Sequence, residues 1–248
     1  MALDVDSEEA VGQAVDSLSD YELNFKVGLE LIHSIGTPTA TGRVRQARGK
    51  SFVDGKLADI PTTLAKAMAS LARQGATFVN VFAPTGTKSM EAVVKARDEA
   101  KCETKILAVT VLTTMDEAQC LEAYGCTVRE GVIRFATMAK NAGCDGLVCS
   151  ARDLGYLKEH GGFEGMETAT PGIRSPHDPP DDQKRTMTPG DAIRAGATYL
   201  VIGRPILKPP AEVGSPSAAV ALICADITLA LAELEVGTTH RESHKESA

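Results

Sequence analysis

The sequence lacks the features that identify nucleic-acid-binding, membrane and secreted proteins. Its 248 residues include 33 acidic and 26 basic side chains, so the formal net charge is −7 and no positive excess is available to bind nucleic acid or an anionic membrane. No apolar run approaches the length of a membrane span, and the acidic start Met1-Ala2-Leu3-Asp4 is unlike a signal peptide. These absences predict a soluble protein with neither a nucleic acid nor a membrane as its partner.

The cysteines and histidines show no spacing that would indicate disulfides or a metal site. The six cysteines include no C-x-x-C pair, and the five histidines are scattered along the chain. We therefore expect reduced cysteines, a cytoplasmic location and no bound metal. A glycine-rich dinucleotide-binding loop is also missing after the first predicted strand, which argues against a nicotinamide cofactor.

What is present is the composition and pattern of a globular α/β protein. Hydrophobic residues make up 43% of the chain and charged residues 24%, which is ordinary for a soluble domain, and the length suits one large α/β domain. Apolar runs typical of strands alternate with helical patterns. The predicted strands are residues 2–4, 23–28, 51–53, 77–81, 106–112, 145–149, 168–170 and 199–202.

This alternation predicts a single (β/α)₈ barrel, or TIM barrel, over residues 1–237, with an open doubly wound sheet as the alternative. Residues 36–50 are basic and are predicted to form an irregular, solvated connection between the second and third strands. The last helix is expected to begin at Ser215-Pro216 and to end at Gly237. The polar residues 238–248 are predicted to form a disordered tail.

Three charged residues follow the third predicted strand in the order acid, base, acid. Asp54 and Lys56 are two residues apart, so on a strand they would point to the same face, and Asp59 lies just past the strand. A surface salt-bridge cluster is one interpretation. Phe52 and Val53, however, mark a buried strand, and charges placed at its end are costly without a purpose. We therefore expect these three residues to belong to a functional site.

The other predicted strands also end in polar or glycine-containing segments, and a barrel places its active site at those ends. The segments after the seventh and eighth strands suit a phosphate group, because glycine lets backbone N–H groups approach an anion and arginine binds it with two donors. The strand-end residues that we collect are Asp4, Lys26, Asp54, Lys56, Asp59, Thr113, Pro171-Gly172-Ile173-Arg174 and Gly203-Arg204.

A long polar segment, residues 175–185, separates Arg174 from the next predicted helix. One interpretation is a passive surface loop. The other is a lid that closes over a bound phosphate, with Gln183 reaching inward. The residues alone leave these two interpretations even.

The motifs taken together resemble the orotidine 5′-phosphate decarboxylase family. The central motif is Asp54-x-Lys56-x-x-Asp59-Ile60-Pro61-x-Thr63. The other motifs fall in the order of the family and cover residues 2 to about 206. They are Ala2-Leu3-Asp4, Lys26-Val27-Gly28, Val111-Leu112-Thr113, Thr170-Pro171-Gly172-Ile173-Arg174, Asp182-Gln183-Lys184-Arg185 and Ile202-Gly203-Arg204-Pro205.

The resemblance implies a homodimeric (β/α)₈ barrel that removes CO₂ from orotidine monophosphate (OMP) to form UMP, without a metal or an organic cofactor. It implies catalytic roles for Lys26, Asp54, Lys56 and Asp59, with Lys56 protonating C6 of the pyrimidine as CO₂ leaves. Asp59 and Thr63 would reach into the active site of the partner subunit. The residues implied to bind substrate are Asp4, Lys26, Asp54, Ile60, Thr63, Thr113, Pro171, Arg174, Gln183, Gly203 and Arg204.

Four positions depart from the pattern of that family. Gly55 and Leu57-Ala58 stand where a bulkier residue and a histidine are expected, and Phe82 stands where the fourth strand usually has a histidine. Glycine inside a strand is expected to loosen it, so Gly55 would weaken the positioning of its two charged neighbours.

Two alternatives stay open at this point. Metal-dependent sugar-phosphate decarboxylases and synthases of the same superfamily share the Asp-x-Lys-x-x-Asp motif, but bind Mg²⁺ through a glutamate where this chain has Lys26, which would repel a metal. A catalytically silent nucleotide-binding barrel is the other alternative, and the presence of all four network charges argues against it.

Overall fold

The predicted (β/α)₈ barrel is confirmed by the structure, a computed structural model that describes residues 1–175 and 185–245. The described residues form an eight-stranded parallel sheet in which each strand pairs with the next along the chain. The backbone N–H of Ala2 donates to the carbonyl of Ile202 at 2.7 Å, so the segment after the last strand meets the first strand. The strands are β1 (Ala2–Leu3), β2 (Asn24–Val27), β3 (Lys50–Leu57), β4 (Phe78–Phe82), β5 (Lys105–Val109), β6 (Gly146–Val148), β7 (Glu167–Thr170) and β8 (Tyr199–Leu200).

Helices cover the outside of the sheet, and two short 3₁₀ turns, Ala83–Thr85 and Ala151–Asp153, follow β4 and β6. The helices of the described chain are α1 (Glu8–Asp16), α2 (Leu29–Ile35), α3 (Thr37–Gln46), α4 (Pro61–Arg73), α5 (Thr87–Glu99), α6 (Glu117–Tyr124), α7 (Val128–Asn141), α8 (Leu154–His160), α9 (Pro189–Arg194), α10 (Arg204–Leu207) and α11 (Pro216–Lys245).

Side chains alternate between the barrel interior and the layer of helices, as the pleat of a strand requires. Phe52 and Phe78 belong to a small interior cluster, whereas Val53 and Val79 pack into the larger core under the helices. The Phe78 ring contacts Phe52 and Tyr199 edge-on, with ring centroids 6.1 and 5.1 Å apart. Two residues further along these strands, Asp54 of β3 and Asn80 of β4 therefore lie toward the carboxyl end of the barrel.

The prediction of an irregular connection over residues 36–50 is wrong, because most of it forms α3. This helix begins after Gly36 with Pro38 in its first turn, where a missing N–H costs nothing. Ala40 and Val44 are fully buried, while Arg45 and Arg48 are exposed. The charges that suggested a solvated loop therefore lie along the outer face of an amphipathic segment.

The last helix differs from its prediction in two ways. It continues through Gly237 to Lys245 instead of ending at that glycine. The segment Pro216–Val236 of this helix is also 21 residues long and has a mean hydropathy of 1.8, so by length and composition it could cross a membrane. The expectation that no apolar segment reaches that length is therefore wrong. In the fold this helix packs against α9, where Asp226 accepts from the Gly190 N–H at 2.7 Å and Glu233 pairs with Arg194 at 2.8 Å.

Candidate active site

A cavity of about 340 Å³ opens at the carboxyl ends of the strands, the position of the active site in barrels of this kind. Apolar interior residues such as Phe52, Val109 and Val148 line part of it. The sequence-predicted site residues that line it are Asp4, Lys26, Asp54, Lys56, Thr113, Pro171, Arg174, Gly203 and Arg204. The fold thus brings together side chains that are far apart along the chain.

Four charged side chains form a continuous network in this cavity. The ammonium of Lys26 lies 3.5 Å from Oδ1 of Asp4 and 3.1 Å from Oδ2 of Asp54. The ammonium of Lys56 lies 2.7 Å from Oδ1 of Asp54. Acid and base therefore alternate from β1 to β3, and each ammonium is held in place by at least one carboxylate.

Asp54 is nearly buried, at 9% exposure. Burial by itself would raise the pKa of its carboxyl, but the charges of Lys26 and Lys56 and the hydrogen bonds from Lys56 and Asn80 outweigh it, so the pKa lies below its ordinary value. The group is therefore an anion at neutral pH. A carboxylate of the substrate placed beside it would meet a fixed negative charge.

Lys56 stands on an irregular part of β3. β3 pairs with β4 at Val53↔Val79 and next at Leu57↔Val81. Between these two pairs the chain advances four residues on β3 but only two on β4. Lys56 adopts φ = 45°, in the left-handed region that costs a residue with a side chain roughly 1–3 kcal/mol. Lys56 and Asp54 do line the same cavity, as expected, but a β-bulge rather than simple strand alternation brings them there.

Asn80 is a residue of this region that the sequence analysis missed. Its side chain is fully buried, its Oδ1 accepts from the Lys56 backbone N–H at 2.7 Å, and its Nδ2 donates to Oδ1 of Asp54 at 2.6 Å. An amide in the middle of the apolar strand Phe78–Phe82 was the available signal, because a buried amide needs hydrogen-bond partners.

The segments after β7 and β8 line the side of the cavity next to β1 and Asp4. Gly172 has φ = 82°, a conformation that favours glycine. A Cβ at Gly203 would come within 2.8 Å of the Asp4 carboxylate, so only glycine fits there without a shift. Arg174 is held by backbone pairing with Met187 at 3.0 Å, and Arg204 is an exposed residue at the start of α10. Two arginines and the backbone at two glycines thus line the same side of the cavity.

With this geometry established, comparison with known proteins is informative. Residues 1–216 match the family described as "Orotidine 5′-phosphate decarboxylase / HUMPS family". The chain belongs to this family.

Relatives across most of the chain carry the same name. The chain is 41% identical over 236 residues to an orotidine 5′-phosphate decarboxylase of Moorella thermoacetica, covering 92% of this chain and 91% of that protein. It is 43% identical over 229 residues to one of Rhodopseudomonas palustris strain BisA53, covering 92% and 93%. The solved orotidine 5′-phosphate decarboxylase of Lactobacillus acidophilus has a TM-score of 0.76 at 30% identity, with coverage of 91% and 96%.

Three of the predicted site residues that the structure describes lie outside the cavity. Asp59, Ile60 and Thr63 are all exposed at the start of α4, and the Ile60 side chain is 64% exposed. The Asp59 carboxylate accepts from the Ile60 N–H at 2.6 Å, within its own chain. A single subunit therefore does not bring Asp59 into the network with Lys26, Asp54 and Lys56.

The segment proposed as a lid is described only at its ends. Gln183 lies outside the described residues. Arg185, which the sequence analysis quoted without a role, donates to the carbonyls of Leu112 and Thr113 at 3.1 and 3.3 Å and pairs with Asp153. Burial raises the pKa of Asp153 to about 6, and the guanidinium of Arg185 opposes that rise. Arg185 thus attaches the chain after residue 184 to the loops that follow β5 and β6.

The departures from the family pattern fit the structure without steric conflict. Gly55 has an ordinary φ, and a Cβ there would meet only the end of Ile32 at 3.8 Å, an ordinary van der Waals contact. Leu57 pairs with Val81 where the β3–β4 ladder resumes, and Ala58 is exposed. Whether Gly55 loosens β3 stays a prediction.

Proposed function

We propose that this chain is an orotidine 5′-phosphate decarboxylase, a carboxy-lyase that converts OMP to UMP in de novo pyrimidine biosynthesis. The observation that carries the proposal is the network of Lys26, Asp54 and Lys56 at the carboxyl end of the barrel. Family membership and relatives of the same name over most of the chain support the same reaction.

The chemistry follows from the position of the Lys56 ammonium. When the bond between C6 and the carboxylate breaks, its electron pair stays on C6 and CO₂ leaves. A proton from Lys56 then completes UMP, and before transfer the ammonium stabilises the developing negative charge. Cofactor-free decarboxylation of this kind needs a barrier reduction toward the top of the range of about 8–23 kcal/mol that enzymes supply.

The other cavity residues bind the ribose, the pyrimidine ring and the phosphate of OMP. Asp4 and Lys26 bind the ribose hydroxyls, and Thr113 and Pro171 lie beside the pyrimidine. Gly203, Arg204 and Gln183 bind the phosphate, with Arg174 nearby. This remote binding energy helps to organise the charged end of the site, since interactions away from the reacting atoms can offset the cost of ordering it.

The active unit of the proposal is a homodimer in which Asp59 and Thr63 of one chain, with Ile60, complete the site of the other. The exposure of these three residues in one subunit supports it, because their side chains are accessible to a second chain. We also assign the enzyme to the cytoplasm, a location consistent with six cysteines that are free in the structure.

The metal-dependent class of the same superfamily is the second candidate, because the family description names HUMPS enzymes beside the decarboxylases. Lys26 argues against it. Its ammonium lies between the carboxylates of Asp4 and Asp54, where it already supplies the positive charge that a cation would bring. Among the side chains of residues 1–175 and 185–236, no group of three or more His, Cys, Asp or Glu residues is arranged to hold a metal ion.

We expect the purified protein to decarboxylate OMP at the same rate with and without a metal chelator. The measurement is the loss of OMP absorbance, followed in excess chelator and again after Mg²⁺ is restored. Activity that depends on added Mg²⁺ would favour the metal-dependent class, and UMP binding without turnover would indicate a silent nucleotide-binding barrel.

Replacing Arg204 with alanine is expected to weaken the binding of UMP about ten- to a hundredfold, because a charge-assisted contact contributes roughly 1.5–3 kcal/mol. Calorimetric titration with UMP measures this change. Arg45→Ala is a matched control, since Arg45 is an exposed arginine that bonds the Gln74 carbonyl and does not line the cavity. Equal affinity in the two variants would remove Arg204 from the phosphate site.

A further inference from the structure

We propose that Asn80 is a positioning residue of the active site, an inference that rests on the decarboxylase function proposed above. Its side-chain amide sets the orientation of the Asp54 carboxylate and the backbone conformation of Lys56 together. Asn80 does not line the cavity, so it acts on the substrate through these two residues.

The backbone of Lys56 is the first group that Asn80 holds. Where β3 bulges, between Val53 and Leu57, the regular ladder with β4 is interrupted. The Lys56 N–H then needs another acceptor, because an unpaired buried N–H is costly. The Asn80 carbonyl oxygen supplies it at 2.7 Å, from the strand that would otherwise have provided a backbone carbonyl. The side chain thus replaces a ladder bond and holds Lys56 at its φ of 45°.

The carboxylate of Asp54 is the second group that Asn80 holds. Its Oδ1 accepts from both the Asn80 amide, at 2.6 Å, and the Lys56 ammonium, at 2.7 Å, while Oδ2 faces Lys26 at 3.1 Å. Ammonium donors can rotate on flexible stems, whereas the planar amide of a buried side chain cannot. The Asn80 amide therefore fixes the plane of the Asp54 carboxylate, which in turn accepts a hydrogen bond from the Lys56 ammonium.

The Asn80 amide makes both contacts from one side chain, to the Asp54 carboxylate and to the Lys56 backbone N–H of β3. The residue paired with Asn80 on β5 is the apolar Leu107, which offers neither a donor nor an acceptor in its side chain. One planar group with an acceptor on one side and a donor on the other is required. Alanine provides neither, and leucine also provides neither while filling nearly the same space as the amide. Aspartate is not diagnostic, because a carboxyl this close to Asp54 would hold a proton and could make both contacts.

The test compares wild-type protein with Asn80→Ala and Asn80→Leu in the OMP decarboxylation assay. We expect kcat to fall about a hundredfold in both variants, as for a catalytic group displaced by about 1 Å. The dissociation constant for UMP should stay within about threefold of wild type, because the phosphate segments after β7 and β8 are untouched. The Asn80→Leu variant, which leaves no cavity and removes both contacts, decides the question if Asn80→Ala does not fold.

A matched control separates positioning from general stability. Thr104→Val removes another buried hydrogen bond, from the Thr104 hydroxyl to the Ala76 carbonyl at 2.7 Å, before β5 at the opposite end of the barrel. It should lower the melting temperature as the Asn80 variants do, but leave kcat unchanged. A kcat within threefold of wild type in both Asn80 variants would overturn the inference. An inactive wild-type protein would instead contradict the proposed function.

Discussion

Replacing Lys56 with alanine is expected to reduce kcat for OMP decarboxylation by about 10⁴-fold or more. The variant loses both the proton donor and the charge that stabilises the carbanion, and each effect alone contributes about 10²–10³-fold or more. Product formation from OMP in single-turnover assays measures this loss, because it detects residual chemistry without interference from product release.

The affinity of the Lys56→Ala variant for UMP should stay within about threefold of wild type. The phosphate segments lie on other strands, and Asp54 keeps Lys26 and Asn80 as partners, so no buried carboxylate is left without a counter-charge. The backbone bond from residue 56 to Asn80 is also retained. Lys66→Ala, at an exposed position on α4, is the control for removal of a lysine. Near-normal kcat in Lys56→Ala would remove Lys56 from its proposed role.

Asp59→Ala is expected to be nearly inactive, with kcat reduced about a hundredfold or more, although Asp59 is exposed in a single subunit. The physical reason is the proposed dimer, in which each site takes Asp54 and Lys56 from one chain and Asp59 from the other. A two-fold interface makes this exchange reciprocal.

The reciprocity makes mixed dimers diagnostic. A dimer of one Lys56→Ala chain and one Asp59→Ala chain has one site with both defects and one site with neither. About half of randomly reassorted dimers are mixed, so unfolding and refolding the two variants together should restore about a quarter of wild-type activity. The measurement is decarboxylation after co-refolding, relative to the same two variants refolded separately.

A second mixture provides the matched control. Lys56→Ala and Asp54→Ala alter the same chain's part of each site, so every dimer formed from them has at least one defect in each site. This mixture should recover nothing. If the Lys56→Ala and Asp59→Ala mixture also recovers nothing, with dimers confirmed by light scattering, Asp59 serves its own chain or the interface lies elsewhere.

Much of the fold could be predicted from local pattern alone. The apolar runs that predicted eight strands all correspond to strands in the structure. The errors occurred where composition outweighed periodicity. In residues 36–50 the arginines concealed an amphipathic helix, and at Gly237 the usual helix-ending preference of glycine did not prevail.

The residues of the candidate site could also be predicted only in part. Asp54, Lys56, Gly203 and Arg204, which all line the cavity, could be selected because charge and glycine at strand ends indicate chemistry in a barrel. Asn80 could not be assigned a role, since an asparagine in a strand does not reveal its partners. Its function depends on a bulge in a different strand.

The sequence by itself determined the alternation of strands and helices and the order of charged residues along the chain, because both are local properties of neighbouring side chains. The tertiary structure alone decided that Lys26, Asp54 and Lys56 meet within 3.1 Å and that Asp59 stays outside their cavity. It also decided that Lys56 adopts a left-handed conformation supported by Asn80. These features arise from strand register and barrel closure, which depend on contacts between residues distant in the chain.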